Sequence, residues 1–320
     1  MKRSLTLAAL ALSLAVLIGG TSPSALAQPG GGKTLIMALD QSDVRTLDPG
    51  REFEFGAAFV DLNVYDTLVA HKSPKELNTY LPILATEWKV SPDGKEYTFK
   101  LRPNVKFASG NPFTAEDVKF SLTRLKNLKG NPGWMMDPLK EVVVIDPMTV
   151  KTVLNESFAD WFPVLSGPNA AILDSKLAKE HGATDSATAD KDDKAEEWLN
   201  QNSAGSGPFI LKGWQKNNVI TMERNPTYWK GPAKIAKIEA RDVPSPATQK
   251  LQVENGDIDV ALNITPDLTA AMKGNKNVKI LIGQSLDQDV SEYPSLELRA
   301  WVRIVNQSIA KADEFVKTLP

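Results

Sequence analysis

YLPILATEWKVSPDGKEYTFKLRPNVKFASGNPFTAEDVKFSLTRL, residues 80–125, places a strand, a tight turn, a second strand, a loop and a capped helix in direct succession. Pro92-Asp93-Gly94 is the turn, because proline presets φ, aspartate bonds its own backbone and glycine accepts a positive φ. Trp88 and Val90 alternate before it, and Tyr97, Phe99 and Leu101 alternate after it, the period of a half-buried strand. Thr114 stands at an N-cap position, with Asp117 three residues on able to reach back as a capping box. Val118, Leu122 and Leu125 then follow at one-face spacing, so a helix starting at Ala115 is expected.

The rest of the chain extends this pattern. Residues 28–32 read as a flexible leader, and Leu35, Ile36 and Met37 suit a buried strand over 33–39. A second hairpin is expected over 142–145 and 149–154, turning at Asp146-Pro147, and a third over 209–214 and 219–222, turning near Asn217-Asn218. A strand over 235–241, a helix over 247–254 and a strand over 258–262 complete this part. The most polar segment, 185–194, reads as a solvated loop or helix start leading to Glu196, Glu197 and Trp198. There is no fixed-period repeat. Helices mixed with several hairpins indicate an α/β fold with antiparallel additions, not a pure βαβ repeat. A length of 320 residues allows one large or two ordinary domains, and 42% apolar residues supply a core.

The first residues read as a secretory signal. Lys2 and Arg3 make a positive start, 5–18 is apolar, and Ala25-Leu26-Ala27 is an A-x-A cleavage site. The apolar run is short for a membrane span, and Gly19, Gly20, Ser22, Pro23 and Ser24 break it. Cysteine is absent, which excludes disulfides, thiolate metal sites and cysteine nucleophiles. The chain has 37 basic and 39 acidic residues; without Lys2 and Arg3 the balance is 35 against 39, a formal −4. Mild acidity with interspersed signs argues against a nucleic-acid partner.

Chemistry-bearing motifs are sparse. GGGKT at 30–34 lacks the phosphate-loop glycine at position 27, where Ala27 stands, and no strand precedes it. Gly205-Ser206-Gly207 runs into Pro208 without a third glycine, so a turn entering a strand is favoured over cofactor binding. The two histidines, His71 and His181, lack ligand spacing, and no side-chain metal site is expected. Ser166-Gly167 lacks the preceding part of a nucleophile elbow, and the scattered acids single out no carboxylate pair. For Trp134, in a loop of turn formers, core packing is favoured over covering a ligand. Tyr228 and Trp229 follow an Asn-Pro turn and are expected to pin the third hairpin.

Arg45, Thr46 and Leu47 form the preferred ligand-facing loop, since α/β sheets place ligands at the carboxyl ends of strands. Arg45 is suited to a peptide carboxylate, and the backbone of Thr46 and Leu47 to an extended ligand. The alternative, that Asp48-Pro49 only starts the next helix, stands equally.

The stretch 80–125, together with LDPG at 47, VYDTLV at 64, GSGPFILKGW at 205, NPTYWKGPAKI at 225 and LQVENGDIDVAL at 251, resembles the family 5 extracellular solute-binding proteins. These are the dipeptide-, oligopeptide- and nickel-binding receptors of bacterial ABC importers. The resemblance runs from about 34 to 282 and fades beyond Gln288. It implies a periplasmic-binding-protein-like fold of type II, a mixed sheet with an extra inserted subdomain and a second lobe largely missing. The implied division is a signal peptide over 1–27, first lobe over 28–75 and 196–262, inserted subdomain over 76–195, and the start of a truncated second lobe over 263–320. The final stretch, 294–319, is expected to be one helix with Leu298, Trp301, Val305, Ile309, Ala312 and Phe315 along a stripe.

The implied function is capture of peptides, or another small solute, and delivery to a membrane permease by closure of two lobes, without catalysis or cofactor and as a monomer. The resemblance also sets the loops of Asn169 and Gly207 near the cleft. Many relatives carry a lipid on a cysteine after the signal; with none here, a free periplasmic protein is expected. A truncated, nonfunctional relative is the first alternative, and a secreted hydrolase, disfavoured by the missing nucleophile motif, the second. N-terminal sequencing of exported protein should find Gln28 at or near the start and no lipid; exported chains retaining Met1 would contradict the signal reading.

Overall fold

A computed structural model of the chain describes residues 33–73 and 76–280; the signal, the leader over 28–32 and the expected helix over 294–319 lie outside these residues. In chain order the strands and helices are β1 (Thr34–Leu39), α1 (Phe55–Val64), β2 (Val69–Ser73), β3 (Glu76–Pro82), β4 (Ala85–Val90), β5 (Glu96–Leu101) and α2 (Ala115–Leu128). Next come β6 (Leu139–Asp146), β7 (Thr149–Leu154), α3 (Trp161–Ser166), α4 (Ser175–Glu180), α5 (Ala189–Asp192) and α6 (Glu196–Leu199). The last are β8 (Phe209–Gln215), β9 (Val219–Arg224), β10 (Lys237–Asp242), α7 (Pro246–Asn255), β11 (Val260–Ala261) and α8 (Pro266–Ala271). Two 3-10 turns, Asn131–Met136 and Pro168–Ala170, complete the described elements.

One sheet has the order β11-β1-β10-β9-β8. Its centre is parallel, β1 against both β10 and β11, and its other half is the antiparallel run β10-β9-β8. A strand flanked on both sides and covered on both faces reads as a continuous apolar run. In β1, Met37, Ala38 and Leu39 are accordingly all buried. The antiparallel sheet β4-β5-β7-β6 carries the two earlier hairpins, and β2-β3 forms a separate ribbon. At the first hairpin Gly94 takes φ +69 and Asp93 Oδ1 accepts from Ser91 Oγ and the Lys95 amide. The turn therefore forms as the Pro-Asp-Gly chemistry requires. Asn217, with φ 58, closes the third hairpin. The strand expected over 235–241 is shifted to Lys237–Asp242, and that expected over 258–262 shortens to Val260–Ala261.

Two apolar cores underlie these sheets. The first packs β1, α1 and the β8-β9-β10 strands around residues such as Leu39, Phe59, Phe209 and Ile238. The second lies between the antiparallel sheet and α2, with Phe99, Val118, Leu122, Val150 and Trp161. Trp161 is fully buried and donates its Nε1 proton to Thr152 Oγ1 at 2.9 Å.

α2 begins as its sequence dictates. The Asp117 carboxylate accepts from the Thr114 amide at 2.8 Å and the Thr114 hydroxyl at 3.0 Å, both through Oδ2. Its other oxygen accepts from Ser175 N at 3.0 Å and Ser175 Oγ at 2.7 Å, so the cap of α2 also fixes the start of α4. Thr114→Ala should destabilise by about 1 kcal/mol through loss of one bond, whereas Asp117→Ala, which strands four donors, should destabilise by about 3 kcal/mol. Urea titration reads both; equal midpoints for the two variants would contradict the shared role of Asp117.

Candidate functional site

The carboxyl ends of β1, β10 and β11 lie along one edge of the five-stranded sheet, and short-range polar bonds stitch them together. The Asp40 amide donates to Asn263 Oδ1 at 2.9 Å, and the Gln41 amide to Asp242 Oδ1 at 3.0 Å. Asn263 N in turn donates to Gln249 Oε1, and Gln249 Nε2 to the Val243 carbonyl. The loop that leaves β1 here carries Arg45, Thr46 and Leu47. Arg45 is exposed, while Thr46 and Leu47 are buried. Asn200 Oδ1 accepts from Thr46 Oγ1 at 3.0 Å and from the Leu47 amide at 2.7 Å. Within this trio the structure leaves the Arg45 side chain as the group presented to solvent.

Asn169 is also buried, and its amide clamps the same loop, donating to the carbonyls of Pro49 and Glu52 at 3.2 and 2.9 Å and to Glu52 Oε1 at 2.8 Å. Gly207 sits elsewhere, on the end of α1. Its amide donates to the Val64 carbonyl at 3.1 Å, and its own carbonyl accepts from Asn225 Nδ2 at 2.9 Å. A Cβ at Gly205 would lie 1.8 Å from the Val64 oxygen, and one at Gly207 would lie 2.6 Å from the Val64 carbonyl carbon. These glycines are required by backbone approach, which explains them without a cofactor. Between them Ser206 donates to Asp66 Oδ2 at 2.9 Å, and Trp229 Nε1 donates to the same oxygen at 2.9 Å. Tyr228 OH reaches Asp66 Oδ1 at 3.3 Å. Burial pushes the Asp66 carboxyl up, opposed by the Trp229 bond and the nearby Lys230 charge. Arg102 lies over the Trp229 ring at 4.4 Å from its centroid. Tyr228 and Trp229 are thus structural anchors, as expected from their position after Asn225-Pro226.

A buried ion network fixes the loop from the other side. Arg124 of α2 donates through Nη1 and Nη2 to Asp48 at 2.8 and 2.6 Å, and through Nε and Nη2 to Asp193 at 2.8 and 2.9 Å. Arg51 approaches Asp48, Asp193 and Glu196 at 3.6 to 3.7 Å. Burial opposes the Arg124 charge, but Asp48 and Asp193 outweigh it and hold the guanidinium above its ordinary range. Burial likewise opposes the Asp193 charge, and Arg124 with the Thr184 and Ala195 amides holds this carboxyl below its ordinary range. The polar segment 185–194 therefore ends in a buried, ion-paired acid, contrary to a wholly solvated reading.

Two large aromatic side chains also lie exposed beside this loop. Phe53 is 51% and Trp134 60% exposed, with ring centroids 6.4 Å apart in an edge-to-face arrangement. Core packing was the expectation for Trp134; the structure overturns it, because its 3-10 turn is seated on the loop backbone. A Cβ at Gly130 would lie 3.0 Å from the Gly50 oxygen and 3.2 Å from Arg51 Cα. Phe53 carried no sequence signal beyond its place two residues before α1.

Among the described residues no group of three or more His, Asp or Glu is placed to hold a metal, and no helix is long and apolar enough to cross a membrane. His181 stacks on Trp198 with centroids 4.1 Å apart, and His71 lies against Tyr80.

The model for bacterial extracellular solute-binding proteins, family 5 middle region, matches residues 79–305. The chain belongs to this family. Of the family 5 proteins it resembles, the "Probable D,D-dipeptide-binding periplasmic protein DdpA" of Escherichia coli K12 is 33% identical over 268 residues, 83% of this chain and 48% of that protein. The glutathione-binding protein GsiB of Escherichia coli O1:K1 is 25% identical over 80% of this chain and 47% of its own length. Among solved structures, NikZ from Campylobacter jejuni in complex with Ni(L-His) superposes with a TM-score of 0.67 at 25% identity, covering 79% of this chain and 47% of that one. The chain spans about half the length of the curated relatives it matches. Its mixed sheets and this superposition give it the α/β architecture of periplasmic binding proteins.

Arg124→Leu should destabilise by about 3 to 5 kcal/mol, since it leaves Asp48 and Asp193 buried without a counter-charge. Because the folded pKa of Asp193 is depressed, its stabilisation is present above the ordinary carboxylate range and lost as pH falls through the folded value. The variant should therefore lose part of the acid sensitivity of the unaltered chain in denaturant midpoints measured from neutral to acid pH. An unchanged acid limb would contradict this assignment.

Proposed function

We propose that this chain forms one wall of a periplasmic solute-binding protein that captures peptides, or a similar small solute, and hands them to an ABC permease without chemical change. The observation that carries the reading is the Phe53–Trp134 pair, two large aromatic rings left half in solvent beside a loop whose buried polar groups are largely engaged within the protein. Exposed aromatics on a rigid support mark binding surfaces, since they offer large contact area at low entropic cost. In this reading Arg45, on the same loop, meets a carboxylate of the solute, and Thr46, Leu47 and Asn169 hold the loop in place from beneath. Gly207 acts further back, seating the β8 hairpin on α1.

The names of the relatives support a peptide-sized solute, one being a D,D-dipeptide-binding and another a glutathione-binding protein. The first lobe over 28–75 and 196–262 with an inserted subdomain over 76–195 is part of the same reading, although the two apolar cores cross these boundaries, Phe120 and Leu173 joining the first core and Leu68 and Val69 the second. A monomer with no metal or cofactor completes it.

Fluorescence and calorimetric titration with a D,D-dipeptide, glutathione and L-dipeptides tests the proposal. At least one should perturb emission in a way lost in Trp134→Phe, and Phe53→Ala with Trp134→Ala should weaken its binding about tenfold or more. Solute binding that is indifferent to both substitutions would reject this face.

A further inference from the structure

Two carboxyl groups lie beneath this loop and belong to neither the ion network nor the solute face. Glu52 and Asp61 are each 1% exposed. Glu52 Oε1 accepts from Asn169, but Glu52 Oε2 and both oxygens of Asp61 meet no protein donor. The two side chains are in hydrogen-bonding contact with each other. Two carboxylates cannot make such a bond, because both are acceptors only, so one of them carries a proton.

The surrounding charges point the same way. The loop contributes Asp48, Arg51 and Glu54, α2 contributes Arg124, the segment before α6 contributes Asp193, and Tyr65 follows α1. The Pro168–Ala170 turn adds only neutral Asn169. Arg124 is committed to Asp48 and Asp193, and Arg51 approaches the same two acids. Among the described residues no cation acts on Glu52 and Asp61 to balance them, and like charges at a buried site do not both ionise.

We infer that Glu52 and Asp61 form a one-proton latch: the shared proton ties loop residues 48–54 to α1, and its loss to solvent base releases the loop. The effect on solute capture rests on the reading of the Phe53–Trp134 face given above. Burial pushes the Glu52 carboxyl up to about 8, resisted by its bonds to Asp61 and Asn169 and reinforced by Glu54 and Asp48. Burial also pushes Asp61 well above its ordinary range, with Glu52 and Asp48 adding to it. Both groups hold protons more tightly folded than unfolded. Their contribution is therefore full below the ordinary carboxylate range and lost as pH rises, at Glu52 first, through about 8, and then at Asp61, which keeps the shared proton longer. The latch is thus closed in acid and neutral medium and opens in alkali when that last proton leaves.

Amide hydrogen exchange of residues 48–54, corrected for intrinsic rates, is to be followed between about pH 6 and about pH 9 on the chain alone, beside the infrared band of protonated carboxyls. The unaltered chain should show a buried protonated band that weakens in two steps as pH rises, the first from Glu52 near pH 8, with loop opening rising up to about tenfold per pH unit once the second, shared proton is lost. Asp61→Asn supplies Glu52 with a permanent amide donor and should flatten the pH response of the loop. Glu52→Gln does the same from the other side and serves if the first variant fails to fold. No protonated band at about pH 6, a flat exchange profile in the unaltered chain, or a full pH response in a folded variant would overturn the latch. No solute is present, so these outcomes stand apart from the solute reading; a responding loop together with peptide binding indifferent to Phe53→Ala and Trp134→Ala would overturn only that reading.

Discussion

The loop that leaves β1 is held by one buried guanidinium. Arg124 divides its donors between Asp48 and Asp193, residues 76 and 69 positions away in the chain. Its planar fork accepts only a narrow set of carboxylate positions, so the pairing fixes geometry as well as charge. A well-packed apolar substitute for all three residues could match the stability, since desolvation offsets much of the attraction in a buried pair. It would not fix where residues 48–54 run. The Asn169 clamp, the Glu52–Asp61 pair and the Phe53 ring all depend on that path.

Such a loop is preorganised. The polar groups of Thr46, Leu47 and Asp48 are engaged within the protein, leaving the loop few alternative arrangements to lose on meeting a solute. Ordering a mobile loop on binding would subtract from affinity, and rigid support removes that penalty. The exposed aromatic pair beside it therefore sits on a support that need not rearrange.

Local elements were legible where period and turn chemistry agreed within a dozen residues. The first hairpin, the α2 cap and the buried face of Val118, Leu122 and Leu125 all followed from spacing. α1 was not, because it has no one-sided stripe: Gly56, Ala57, Phe59, Val60, Asp61, Asn63 and Val64 are all buried, and Glu54 gives its start no side-chain cap. Arg124 and Asp193 were hidden for another reason, since each looks like an ordinary surface charge until folding joins three distant segments. Trp134 misled because burial statistics describe residue types, whereas its exposure is set by Gly130 settling on the backbone of Gly50 and Arg51. Among the candidate site residues, the sheet-edge argument singled out the loop that leaves β1, but sequence order could not tell that Asn200 occupies the Leu47 amide.

The VYDTLV, GSGPFILKGW and NPTYWKGPAKI motifs meet at a single point: Gly205 and Gly207 against Val64, and Ser206, Tyr228 and Trp229 on the Asp66 carboxylate. That knot joins the chain's most recognisable words into one fastening of the scaffold and, on the proposed reading, leaves the vocabulary of recognition to Arg45, Phe53 and Trp134. On that reading a library randomised at those three positions samples new solute preferences while every motif that marks the family stays intact. Two proteins can therefore read alike through these motifs and feed on different molecules.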